Sequence, residues 1–210
     1  MNLNTAYDND IIQEVVNIGI GDAADALSKL VKSPVLINIP DVKIINISEV
    51  KNYIESELKN LGLFIIQDFK GTIEGKVILS YSTECAKSLL KILLNETKDI
   101  LALSNIELSV LEEIGNILSG SCITSICNMV KKQVIFSLPH VIQDISLKYL
   151  INLQHELDQY ESCIVIKNEM YIKAEQINGY IFIIVSMRDI KSIIDQLKDD
   201  LKKITQGKLT

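Results

Sequence analysis

Two stretches decide the fold: Asp10 to Val42, DIIQEVVNIGIGDAADALSKLVKSPVLINIPDV, and Ser109 to Val141, SVLEEIGNILSGSCITSICNMVKKQVIFSLPHV. They lie over one another without a gap at an offset of 99 residues. Glu14 matches Glu113, Asn17 matches Asn116, Gly21 matches Gly120, and further on Val35 matches Val134 and Pro40 matches Pro139. The lead-ins repeat as well, Thr5 and Asp8 standing where Ser104 and Glu107 stand. A hydroxyl residue followed three places later by an acid is a capping box, which satisfies free N–H groups at a helix start. Both copies are therefore expected to open a helix at equivalent points.

Working outward, Ile11, Ile12, Val15, Val16 and Ile18 recur at helical spacing. A long helix is expected over about Asp8 to Lys32, and its repeat over about Asn105 to Lys132. Strands follow at Val35 to Ile39 and Val42 to Ile47, with Pro40 at their junction, then at Phe64 to Phe69 and Lys76 to Tyr81, before a helix from Glu84 to Leu94. The second half gives strands at Val134 to Leu138, Asp144 to Leu153, Ser162 to Ile166, Met170 to Gln176 and Tyr180 to Met187, then a helix from Asp189 to Ile204. A second echo, Gly75 to Leu93 over Gly179 to Leu197, runs at an offset of 104 and implies about five extra residues in the connecting region of the second half. Ser48 to Leu61 carries no clear pattern. No Pro/Gly/Ser-rich linker divides the halves, about 1–103 and 104–210, so the expectation is one α+β domain over 1–210: two pseudo-symmetric halves sharing an antiparallel sheet, with long paired helices.

Composition narrows the function classes. Hydrophobic residues make up 48% of the 210 and charged residues 23%, an ordinary globular balance. The net charge of −6 and scattered basic residues argue against a nucleic-acid reader, which shows a clustered basic face. No apolar run approaches the ~20 residues that span a bilayer, and Met1 to Asp10 lacks a signal-peptide core. A cytoplasmic monomer with no membrane insertion is the expectation. Cys85, Cys122, Cys127 and Cys163 show no zinc-knuckle spacing, and with only His140 and His155 to assist, no metal site is expected. Cys122 and Cys127 fall within a helical pattern, where a small apolar thiol is core.

The polar residues needing explanation are Asp10, Glu14 and Asn17, and in the second copy Ser109, Glu113 and Asn116. Spacings of four and three put each trio on one helix face. A rigid helix then offers a carboxylate beside a carboxamide, as a preorganised polar site requires. A single Glu-x-x-Asn is usually a solvated helix face. Here the pair returns in the second copy while other exposed positions drift, Asp22 lying opposite Ser121 and Asp25 opposite Thr124. The glycines nearby, Gly19 and Gly21, Gly115 and Gly120, each cost a helix about 1 kcal/mol relative to alanine. Close packing of the two related helices is the expected compensation, with a kink or near approach of a partner the alternatives.

The pattern Asp/Ser, three residues, Glu, two residues, Asn, twenty-two residues, Pro resembles the signature of the CheC, CheX and FliY phosphatases, and this chain carries it twice, ending at Pro40 and Pro139. Two motifs in this length resemble CheC-type chains more than the shorter, one-motif CheX type. The resemblance implies a phosphatase that removes the phosphoryl group from the aspartate of a CheY-type response regulator in bacterial chemotaxis. It implies that Glu14 and Glu113 pair with the regulator's active-site lysine, and that Asn17 and Asn116 orient a water in line with the phosphoryl bond. Asp10 and Ser109 would support the site. No cofactor is implied on this chain, since the Mg²⁺ belongs to the regulator. The alternative reading is a non-catalytic binding module regulating CheD, a receptor deamidase.

Overall fold

The computed structural model describes residues 6–57, 61–94, 103–143, 160, 162–172 and 175–205. In chain order these give α1 (Ala6–Val31), β1 (Val35–Asn46), α2 (Ile47–Glu57), β2 (Leu61–Gly71), β3 (Gly75–Ser82), α3 (Thr83–Leu94) and α4 (Asn105–Met129). Then come β4 (Val134–Phe136), β5 (His140–Gln143), β6 (Ser162–Ile172), β7 (Glu175–Val185) and α5 (Met187–Thr205). The fold is α+β, and its strands form one antiparallel seven-stranded sheet in the order β1-β6-β7-β3-β2-β4, with β5 also on β2.

That order exchanges the edges. The first half's β1 pairs with β6 of the second, and the second half's β4 and β5 pair with β2 of the first. Equivalent residues meet equivalent partners: Val134 pairs with Gly71 and Val35 with Ile172, while Val141 pairs with Ile65 and Val42 with Ile166. At the centre β3 pairs with β7, and Leu79 lies opposite Ile181. Each half's hairpin is thus finished by the other half's edge strand.

Side-chain alternation along these strands makes two apolar faces. On one, Leu63, Ile65, Phe69, Val77, Leu79, Ile181 and Ile183 lie under α1, α3, α4 and α5. The other holds Phe64, Ile66, Ile78, Val165, Phe182 and Ile184 and is met by Val50 and Tyr53 of α2. The structure supplies α2 where the sequence showed no clear pattern.

Both long helices stop by the same device. Lys32 and Lys131, equivalent in the repeat, adopt φ of 50° and 53°. The N–H of the residue after each lysine reaches back five residues, Ser33 to the Ser28 carbonyl at 3.3 Å and Lys132 to the Cys127 carbonyl at 2.8 Å. This Schellman closure ends each helix just before its lysine. At the start of α4 the capping box forms, with Ser104 N–H donating to Glu107 Oε2 at 2.7 Å and the Ser104 hydroxyl accepting from Glu107 N–H. In the first copy Thr5 lies outside the described residues, and Asp8 is buried in an ion pair with Lys198 of α5.

Three sequence expectations are corrected. Val35 to Ile39 and Val42 to Ile47 form one strand, β1, whose register shifts between Asn38 and Asp41, where Pro40 withholds an N–H. Likewise Ser162 to Ile166 and Met170 belong to one continuous β6, because Lys167 to Glu169 keep the ladder with β7. The five extra residues of the second half are spread out. Gly75 pairs with Phe69, whose counterpart Met170 pairs with Ile177, so Gly179 is two places out of step with Gly75 in the sheet. The halves come back into step at Ser82 and Ser186, whose hydroxyls accept from Cys85 and Asp189 N–H at 3.1 Å each and cap α3 and α5. The strand expected from Asp144 to Leu153 lies outside the described residues.

Candidate functional site on the two long helices

The apolar residues of α1, Ile11, Ile12, Val15, Val16, Ile20, Ala23 and Leu27, are buried against the sheet and the other helices. That leaves Asp10, Glu14 and Asn17 exposed together on the opposite side. In α4 the buried set is Leu111, Ile114, Gly115, Leu118, Cys122, Ile123 and Ile126, and Ser109, Glu113 and Asn116 are exposed. Each predicted trio therefore sits on one solvent-facing stripe. Among the described residues, no hydrogen bond or ion pair engages the side chains of Asp10, Glu14, Asn17, Ser109 or Glu113.

Asn116 differs. Its carboxamide oxygen accepts from Gln67 Nε2 of β2 at 2.9 Å, and the same nitrogen donates to the Ser137 carbonyl at 2.9 Å. Gln67 is 2% exposed. Ser137 is itself tied to β2, donating its N–H to the Asp68 carbonyl at 2.9 Å and accepting from Asp68 N–H at its hydroxyl at 3.0 Å. Gln67 was not among the residues expected from the sequence. Its signal was there: in Leu63, Ile65, Gln67, Phe69 it is the one polar residue on the inward-facing positions of an apolar strand.

Beside the second trio lies a cavity of about 430 Å³, lined by Leu30, Leu93, Ile106 and Val110 together with Ser109 and Glu113. Ile106 is 67% exposed and Leu30 42%, so an apolar surface adjoins the Glu113 carboxylate.

The glycines divide into two kinds. A Cβ on Gly19 would lie 2.9 Å from the Cys122 backbone, and one on Gly115 would lie 2.4 Å from Ile65 Cγ2. Gly19 thus serves the expected helix–helix contact, whereas Gly115 lets α4 settle on the sheet. Gly21 and Gly120, the two that match in the repeat, have nothing within 4 Å of an added Cβ. Close packing inside the chain does not explain them. One turn beyond each asparagine, they leave bare helix backbone next to the carboxamide.

Of the cysteines, Cys122, Cys127 and Cys163 are buried and Cys85 is partly so; all are free thiols. Burial pushes the Cys122 thiol up to about 12 and Cys127 to about 11, so both stay protonated at neutral pH. Among the described residues no group of three His, Cys, Asp or Glu side chains is placed to hold a metal ion, and no helix is long and apolar enough to cross a membrane.

A family model described as chemotaxis phosphatase CheX matches residues 63–166. The CheY-P phosphatase CheC of Bacillus subtilis (strain 168) is 27% identical over 172 residues, covering 80% of this chain and 81% of that protein. The chain is similar in sequence to the CheX and CheC phosphatases. Among solved structures, Thermotoga maritima FliY matches with a TM-score of 0.67 at 20% identity, covering 94% of this chain and 99% of that one. A chain of the CheX-CheY-BeF3-Mg²⁺ complex from Borrelia burgdorferi matches at 0.54 and 15% identity, covering 81% and 97%. These two structures share the fold.

Residues 63–166 take in most of β2, then β3, α3, α4, β4, β5 and the start of β6, including Ser109, Glu113, Asn116 and Pro139. The match crosses the boundary between the sequence halves.

Proposed function

We propose that this chain hydrolyses the phosphoryl-aspartate of a CheY-type response regulator and presents two sites for it, Glu14 with Asn17 and Glu113 with Asn116. The observation that carries the reading is the recurrence of one exposed trio, at one spacing, on the solvent face of both long helices. The glutamates supply docking carboxylates for the regulator's lysine. The asparagines insert their carboxamides and align the attacking water, which an amide can do because it both donates and accepts. Asp10 and Ser109, one turn earlier, support each site. Gly21 and Gly120 keep the adjoining backbone low enough for the regulator to approach.

The chemistry asked of the chain is small. Phosphoryl transfer depends on positioning and charge stabilisation, and the regulator brings its own Mg²⁺. A hundredfold acceleration corresponds to about 2.7 kcal/mol of barrier. One held water and one ion pair are on that scale.

Phosphate release from a phosphorylated CheY-type regulator, with Mg²⁺ present, tests the assignment. Wild type should accelerate release, and a folded Asn17→Ala/Asn116→Ala double variant should fall to the regulator's own rate. No acceleration by wild type would remove the enzyme assignment and turn attention to CheD binding.

A further inference from the structure

We infer that Gln67 is the positioning residue of the second site, and that the first site has no counterpart able to do the same. The inference rests on the reading of Asn116 as the water-orienting residue.

Strand pairing identifies the positions that correspond. Phe136 pairs with Phe69 and its repeat equivalent Ile37 pairs with Met170; Val141 pairs with Ile65 and Val42 with Ile166. Midway along each strand, on the same face, stand Gln67 and Asn168, at 2% and 0% exposure. Each faces the place where the edge strand loses register, at Ser137-Leu138-Pro139 and at Ile39-Pro40. The proline of the signature is thus tied to its asparagine through space. It stands at the break in the ladder, and in the second half a polar side chain from the next strand reaches that break. In the second half the Ser137 carbonyl left at that break anchors Gln67, and Gln67 holds the Asn116 oxygen.

The first half differs at both ends of this relay. Asn168 is one methylene shorter than Gln67. Its oxygen lies over Gly179 beside the Tyr81 ring, its side chain interacts with that of Tyr81, and among the described residues it makes no hydrogen bond to Asn17. Above it the helix is held differently. Gly115, next to Asn116, allows α4 to come down onto Ile65, whereas its equivalent Val16 keeps a side chain between α1 and the sheet. The Asn17 side chain makes no hydrogen bond among the described residues.

The consequence is chemical. With its oxygen engaged by Gln67, the Asn116 carboxamide is restrained, and its Nδ2 donors are left for another partner. Asn17 must be ordered when the regulator arrives.

The test uses two single-site chains, Asn17→Ala and Asn116→Ala, each with and without Gln67→Met, which keeps the side-chain length and removes the amide. Losing one ordering hydrogen bond should lower kcat about tenfold in the Asn17→Ala chain, with KM changed less than twofold. In the Asn116→Ala chain the same substitution should change kcat less than twofold. Equal losses in both backgrounds, or a change in KM alone, would overturn the inference by marking Gln67 as merely structural. A second readout is independent of activity: the ¹⁵N side-chain resonance of Asn116 should be rigid in the parent chain and mobile after Gln67→Met, while that of Asn17 is mobile in both. If wild type releases no phosphate but this contrast holds, the phosphatase reading fails and the positioning relay stands. Should Asn116 be as mobile as Asn17 in the parent chain, the relay is wrong whatever the activity.

Discussion

The two long helices present the same trio, glutamate and asparagine unchanged and the first position either Asp10 or Ser109, yet they are seated differently on one sheet. Helix α4 rests on Ile65 through Gly115, and its asparagine is bonded to Gln67. Helix α1 rests through buried Val16, and Gly19 instead admits the backbone of α4 at Cys122. Glycine has moved by one turn between the copies, from the helix–sheet contact in one to the helix–helix contact in the other. Two identical pairs in sequence therefore become one whose asparagine is bonded to the sheet and one whose side chains make no hydrogen bond among the described residues. Symmetry of motif does not carry symmetry of preorganisation, because bracing depends on residues a strand away.

The largest expected break in this comparison is kinetic. Asn116→Ala should cost total phosphatase activity about tenfold and Asn17→Ala no more than about threefold, measured as phosphate release at saturating regulator. Equal losses would mean that the brace has no functional weight. Next comes Gly115→Val, which gives α4 the residue of α1. Its first carbon would stand 2.4 Å from Ile65 Cγ2, so the helix must lift. A loss of about 1–3 kcal/mol is expected in urea unfolding, and site-two kcat should fall along with it.

Gly21→Ala and Gly120→Ala sharpen the comparison in the opposite sense. With open space beyond each Cβ, either change should stabilise its helix by up to about 1 kcal/mol while raising KM for the regulator. An unchanged KM would sever these glycines from docking. The smallest effects belong to the helix ends. Lys32→Gly and Lys131→Gly relieve a left-handed lysine at φ of 50° and 53°, and each should raise stability by about 1 kcal/mol or less without touching phosphate release.

Much of this was readable before any coordinates. The repeat at offset 99 located both helices, the start of α4 and both ends, because helix periodicity and capping are local and the two copies vouch for each other. The exposed trios followed from the same spacing. Less legible was α2, whose polar segment Ile47–Glu57 shows its few apolar residues, such as Val50 and Tyr53, only against the far face of the sheet. The glycine contacts were misjudged at Gly21 and Gly120, since a sequence marks where a Cβ is missing but not what faces the gap.

What the chain's sequence determined by itself is the two long helices, the internal two-fold relation and the placement of each glutamate beside its asparagine on one helix face. These rest on interactions within a few residues. Only the tertiary structure decided that the edge strands exchange between halves, that the ladder opens at Pro139 where Gln67 sits, and that Gln67 holds Asn116. Those depend on register between strands distant in sequence, where a shift of two residues or a change of one methylene makes or removes a hydrogen bond.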